Sequence, residues 1–225
     1  MKGLVWLNLY ICRGVGVYMG LCVYLRYEPE MTVVTSCLIA AAFRKTKEHF
    51  GQIDIVCNNA MTYNDNDVST FIEVLLSAAI RGTYLGVDFM GKTNGGNGGL
   101  VINTGSMAGL WPVPIIPCYC AAKAGLIHFT RSAAEEPMLQ QNGIRINVIC
   151  LDNVDVGPHR FDAMKRFKYG QILENVTKER KSLSLSEAVS GFIRVIEDES
   201  LNGSVVSLLV DKGYEVMEFP EITMS

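Results

Sequence analysis

Three residues in the middle of the chain, Ser106, Tyr119 and Lys123, carry side chains whose chemistry fits together. A free tyrosine, with a pKa of about 10, is a poor base at neutral pH. An ammonium close by favours its phenolate form, because an opposite charge stabilises the ionised state. Tyr119 and Lys123 stand four apart, so on a helix they share one face, one turn from each other. Twelve residues separate Ser106 from Tyr119, and a serine hydroxyl, which both donates and accepts, suits the oxygen of a substrate. Such a trio is equipped for alcohol oxidation: the phenolate takes the hydroxyl proton while the carbon gives hydride to a nicotinamide. An oxidised nicotinamide would add a second positive charge beside the phenol, and Lys123 would reach its ribose hydroxyls. A surface Tyr and Lys beside a turn serine is the plain alternative, and the elements around the trio decide between the two.

Those elements follow from local sequence. Residues 100–103, LVIN, form a short β-branched run followed by Thr104-Gly105-Ser106, which predicts a buried strand with Ser106 at its end. In open α/β sheets ligands gather at the ends of strands. Pro112, Pro114 and Pro117 keep the next segment out of a helix, and Pro117 suits the first turn of the helix that follows. That helix is expected from Cys118 to about Glu136, stopping near Pro137.

With Ser106, Tyr119, Lys123 and the segment Asn58-Asn59-Ala60 in place, the chain resembles the short-chain dehydrogenase/reductase family. Further segments carry the likeness: residues 82–99 (GTYLGVDFMGKTNGGNGG), SMAGLWPV, CYCAAKAGLIHFTRSAA and residues 196–203 (IEDESLNG). It extends roughly over residues 32–217 and is strongest over 53–150. The resemblance implies an α/β, doubly wound, mostly parallel (Rossmann-like) sheet, NAD as cofactor, and oxidation of a secondary alcohol on a lipid-like substrate. It also implies a homodimer built on helix faces. Carried over residue by residue, it makes Ser106, Tyr119 and Lys123 catalytic. Gly14, Gly16, Asn59 and Val154 join Tyr119 and Lys123 as cofactor-binding residues. Ile116, where relatives place a substrate-contacting glutamine, joins Ser106 at the substrate and predicts a greasier pocket.

The departures cluster along the cofactor. Aligning Gly14-Val15-Gly16 with the end of the family's glycine-rich phosphate loop puts Leu9 and Tyr10 where threonine and glycine belong. Leu38-Ile39 replace an adenine-contacting Asp-Val, Met61 replaces a glycine, and Leu151 stands where a proline is expected. Leu75 takes the place of an asparagine that supports a proton-relay water. Leu25 leads almost at once to Thr32-Val33-Val34-Thr35, the expected third strand, so one N-terminal βα unit is expected to be lacking. The alternative function is then a catalytically degenerate relic acting as a scaffold or subunit partner.

Composition sets the outer bounds. A chain of 225 residues, 49% hydrophobic and 19% charged, suits one globular domain spanning 1–225. Within it, residues 1–50 are the degenerate nucleotide-binding half and 157–184 the expected substrate lid. A net charge of −3 gives no reason to expect nucleic acid. Seven cysteines without a CxxC pair suit reduced thiols in a cytoplasmic protein, and three scattered histidines suggest no metal. Residues 3–25 are long and apolar enough to span a bilayer, but Arg13 lies centrally and Gly14 and Gly16 break the run. A strand over 4–9, a glycine turn and a helix from about Val15 are expected instead.

Along the remainder, the patterning predicts helices over 40–50, 71–90 and 185–196 and strands over 53–57, 144–149 and 205–210. The tail after Lys212 is expected at an edge or interface.

Overall fold

Only two residues lie between the first strand, β1 (Leu4–Gly14), and the second, β2 (Val17–Arg26). A link that short closes an antiparallel hairpin; a parallel pair needs a crossover of a dozen or more residues. The two strands accordingly pair antiparallel, with Leu4 opposite Arg26 and Gly14 opposite Val17. The helix expected from Val15 is therefore a strand. The computed structural model describes residues 4–14, 17–26 and 36–219, with side chains from residue 39 onward. The strand expected over 32–35 and the cofactor candidate Gly16 lie outside the described residues.

After the hairpin the elements are α1 (Ser36–Phe50), β3 (Ile55–Asn58), α2 (Val68–Ile72), a π-helical segment Glu73–Ser77 and α3 (Ala78–Met90). Next come β4 (Gly99–Thr104), α4 (Pro117–Ala134), α5 (Pro137–Gln141) and β5 (Ile144–Leu151). The chain closes with α6 (His159–Met164), α7 (Gly170–Glu179), α8 (Leu185–Glu197), β6 (Val205–Leu209) and β7 (Gly213–Met217). The described strands form one sheet in the order β2-β1-β3-β4-β5-β6-β7. Its centre, β3 to β6, is parallel, while β1 lies antiparallel on β3 and β7 antiparallel on β6.

Alternation along the central strands explains why helices cover both faces. Val56 and Val101 point to one side, where they pack with Phe43 of α1, Val87 of α3 and Ala133 of α4. Ile55, Cys57, Leu100 and Ile102 point to the other, against Val195 and Ile196 of α8. Strands buried on both faces lose the apolar–polar alternation of a half-exposed sheet, which is why Leu100, Val101 and Ile102 are apolar without a break. The result is the doubly wound α/β architecture, with its β1–β2 flank replaced by a hairpin. Segment 157–184, for which the sequence gives no firm structure, holds α6 and α7.

Candidate active site

The parallel strands end together, and the candidate residues sit at those ends. Asn58 closes β3 and is 3% exposed. Its side-chain N–H₂ donates to Ala79 O at 3.0 Å and to Asn103 Oδ1 at 2.9 Å. Asn103 in turn donates to Thr130 Oγ1 of α4 at 2.8 Å. This chain of amides fixes β3, β4, α3 and α4 relative to one another. Gly82 makes room for it, since a Cβ there would fall 2.2 Å from Asn58 Oδ1.

Ser106 lies two residues past β4 and caps a single 3₁₀ turn, Met107–Gly109, its Oγ accepting from Ala108 N at 3.2 Å. α4 opens with Pro117 in its first turn, where the missing N–H costs nothing. The helix then aims Tyr119 and Lys123 at the strand ends. The Ser106 hydroxyl lies close enough to the Tyr119 phenol to favour its ionised form. Lys123, 3% exposed, donates from Nζ to Thr104 O at 2.6 Å, and its Nζ lies 5.7 Å from the centre of the Tyr119 ring. The structure thus brings Ser106, Tyr119 and Lys123 into one site.

The electrostatics differ from the sequence expectation. Burial pushes the Tyr119 phenol well above its ordinary value, a rise that the nearby Ser106 hydroxyl only moderates. Burial also pulls the Lys123 ammonium down to about 8. Desolvation of both groups outweighs the favourable pairing of phenolate with ammonium. The cause of the burial is aromatic. Phe71, Phe167 and Tyr119 stand edge to face with ring centres 5.9–6.4 Å apart, and Tyr63 packs on Phe167 at 5.9 Å. Ile116, 7% exposed, belongs to the same cluster. Cys150, at the end of β5, faces Lys123 and the Ser106 backbone, and burial raises its thiol to about 12.

Asn58 Oδ1 is buried without a hydrogen-bond partner. It borders a cavity of about 10 Å³, room for about one water molecule, whose lining includes Lys123, Leu75 and Ala79. The unpartnered polar atom at this cavity comes from Asn58, not from position 75. Leu75 itself lies in the π-helical segment and is 2% exposed.

The remaining candidates scatter. Asn59 is exposed at the C-terminal end of β3. Val154 follows β5, bridges to Leu183, and its carbonyl accepts from Arg160 at 2.7 Å. Gly14 goes elsewhere: β1 runs antiparallel to β3 with Ile11 opposite Ile55, so Gly14 lies beyond the N-terminal end of β3. Ser106 and Asn58 are at the other end of the sheet, and Gly14 is not brought to them. The chemistry of Tyr119, Lys123 and Asn59 suits a nicotinamide and its ribose, beside a cavity that has room for about one water molecule. The phosphates find no such match: where the doubly wound fold puts a strand-to-helix turn at their site, the described β1 ends at the opposite end of the strands and pairs there with β2.

Sequence reasoning missed the aromatic cover, Cys150, and the role of Asn58 Oδ1. Phe71 opens the helix expected over 71–90, and nothing in its sequence marks it as part of a site. Phe167, in a charged segment, gave no signal.

A parallel-centred α/β sheet with a Ser-Tyr-Lys trio at its strand ends defines a class. The profile described as short chain dehydrogenase matches residues 30–162, and the chain belongs to that family of oxidoreductases. The mouse protein 15-hydroxyprostaglandin dehydrogenase [NAD(+)] is 38% identical over 206 residues, covering 86% of this chain and 76% of its own. Its human counterpart is 36% identical over 205 residues, covering 86% and 77%. Among solved structures, levodione reductase matches with a TM-score of 0.63 at 23% identity, over 77% of this chain and 71% of its own. NAD⁺-bound xylitol dehydrogenase matches with a TM-score of 0.63 at 18% identity, over 77% and 74%. These last two bear on the fold alone.

Proposed function

We propose that this oxidoreductase uses NAD to oxidise a secondary alcohol on a lipid-like substrate. The observation that carries the proposal is the convergence of Tyr119 on Ser106 with Lys123 beneath it. The family relatives named for NAD and a hydroxyprostaglandin support both the cofactor and a role in lipid and prostaglandin metabolism. The apolar surroundings of Tyr119, with Ile116, Phe71 and Phe167, favour a greasy substrate.

In this reading Ser106 holds the substrate oxygen, and Tyr119 accepts its proton. Lys123, anchored on Thr104 O, keeps a positive charge at the phenol and favours the phenolate once solvent and substrate replace the aromatic cover. NAD, when bound, supplies the nicotinamide that takes the hydride. Free thiols at Cys57, Cys118, Cys120 and Cys150 suit a reducing, cytoplasmic setting. A homodimer, a small-molecule lipid-like alcohol as substrate, and neither nucleic acid nor membrane as partner complete the proposal.

The hairpin at β1–β2 favours a second reading, in which the trio survives but the dinucleotide site does not and the chain acts as a scaffold or subunit partner. Thermal melts with NAD and with NADP separate the two. A ligand at a hundred times its Kd adds about 2.7 kcal/mol to stability. A melting temperature that rises with NAD supports the dehydrogenase; one that ignores both dinucleotides supports the relic.

A further inference from the structure

Phe167 reaches the site from the turn between α6 and α7. It is 5% exposed, and its ring packs edge to face on Tyr63, Phe71 and Tyr119, at 5.9, 5.9 and 6.4 Å. The turn is tight: Phe167 N donates to Met164 O, Gly170 N donates to Phe167 O, and a Cβ at Gly170 would fall 2.3 Å from Met164 O. The residues on either side of Phe167 are tied across the site to the loop after β3. Lys168 N donates to Asp65 Oδ1 at 2.8 Å, and Asn66 Nδ2 donates to Arg166 O at 3.3 Å.

We infer that Phe167 decides which alcohols reach Tyr119, and that Asp65 and Asn66 latch it in place. Tyr119 is walled by Phe71 from its own side of the cleft and by Phe167 from the other. A substrate carbon bearing the reacting hydroxyl reaches the phenol when the Phe167 ring swings out and the two latch bonds break. The space it leaves is bounded by Tyr63, Phe71, Tyr119 and Ile116. That space takes a flat or branched apolar group of about the size of a benzyl ring, so aromatic and branched secondary alcohols are preferred over polar ones. The latch residues lie on the surface, away from the trio, so they adjust access without touching the chemistry.

The inference rests on the alcohol-oxidising reading, yet it can be tested apart from it. The intact chain is compared with Asp65→Ala/Asn66→Ala and with Phe167→Ala, without cofactor. Trypsin cleavage after Arg166 and Lys168 is followed by mass spectrometry, and binding of 1-phenylethanol by calorimetry. Loss of two hydrogen bonds at the latch should raise both cleavage rate and affinity roughly tenfold in the double variant. Phe167→Ala should bind the alcohol more tightly still and extend binding to bulkier alcohols. Tighter binding and faster cleavage, with no turnover in any variant once NAD is added, leave the gate standing and remove the dehydrogenase. Unchanged cleavage and unchanged binding overturn the gate. So does faster cleavage without tighter binding, because the segment then moves without opening the site. Should Phe167→Ala fail to fold, the surface double variant decides alone.

Discussion

Lys123 Nζ donates to the main-chain carbonyl of Thr104 at 2.6 Å, joining α4 to the end of β4 two residues before Ser106. One bond thereby sets the spacing between the helix that carries the phenol and the strand that carries the hydroxyl. It also holds an ammonium in a site that burial makes unfavourable for charge, which has a measurable cost.

That cost depends on pH. With its folded value lowered from 10.5 to about 8, Lys123 binds fewer protons in the folded chain between those values than in the unfolded one. Stability from this group therefore rises with pH across that window and is lost as pH falls through 8. Lys123→Met should be the more stable protein at pH 7, by roughly 1–2 kcal/mol after allowing for the unpaired Thr104 carbonyl. The advantage should fade toward pH 10.5. Urea unfolding at pH 7 and pH 10 reads this directly; a variant less stable at pH 7 would contradict it.

The thiols work in the opposite direction. Burial raises Cys57 and Cys150 from 9.0 to about 12. Between those values the folded chain keeps protons that the unfolded chain releases, so stability falls as pH climbs. Cys57→Ala/Cys150→Ala should flatten the alkaline decline above pH 9, read as melting temperature against pH under reducing conditions.

Tyr119→Phe keeps the ring in its aromatic cluster and removes the proton acceptor. Turnover of a secondary alcohol should drop by roughly 10²- to 10⁴-fold with little change in melting temperature. Because burial raises the phenol, kcat/KM of the parent chain should still be climbing above pH 8. A flat profile there would mean that Tyr119 is not the base.

Gly82→Ala places a methyl group against Asn58 Oδ1 at a distance no amide tolerates. The amide must turn, breaking its bonds to Ala79 O and Asn103. The variant should lose roughly 1–3 kcal/mol in chemical denaturation.

The trio was legible because its information is local: a strand ending at Ser106, prolines that delay α4, and a four-residue step from Tyr119 to Lys123. Gly14 misled because Gly-x-Gly describes a turn and says nothing of which end of a sheet the turn occupies. Only the two-residue gap between β1 and β2 settles that. Phe167 was invisible for a different reason, since a ring acquires its meaning from partners far away in the chain. The depressed Lys123 and raised Tyr119 likewise depend on how many rings cover them, which no spacing rule records.

Both margins of the sheet are ribbons between neighbours in sequence, β1 with β2 and β6 with β7. Ribbons of that kind zip in microseconds, whereas parallel pairs wait for long loops to close. The order of assembly then runs inward from the rims, and the strand ends that carry Asn58 and Ser106 are among the last places to become native.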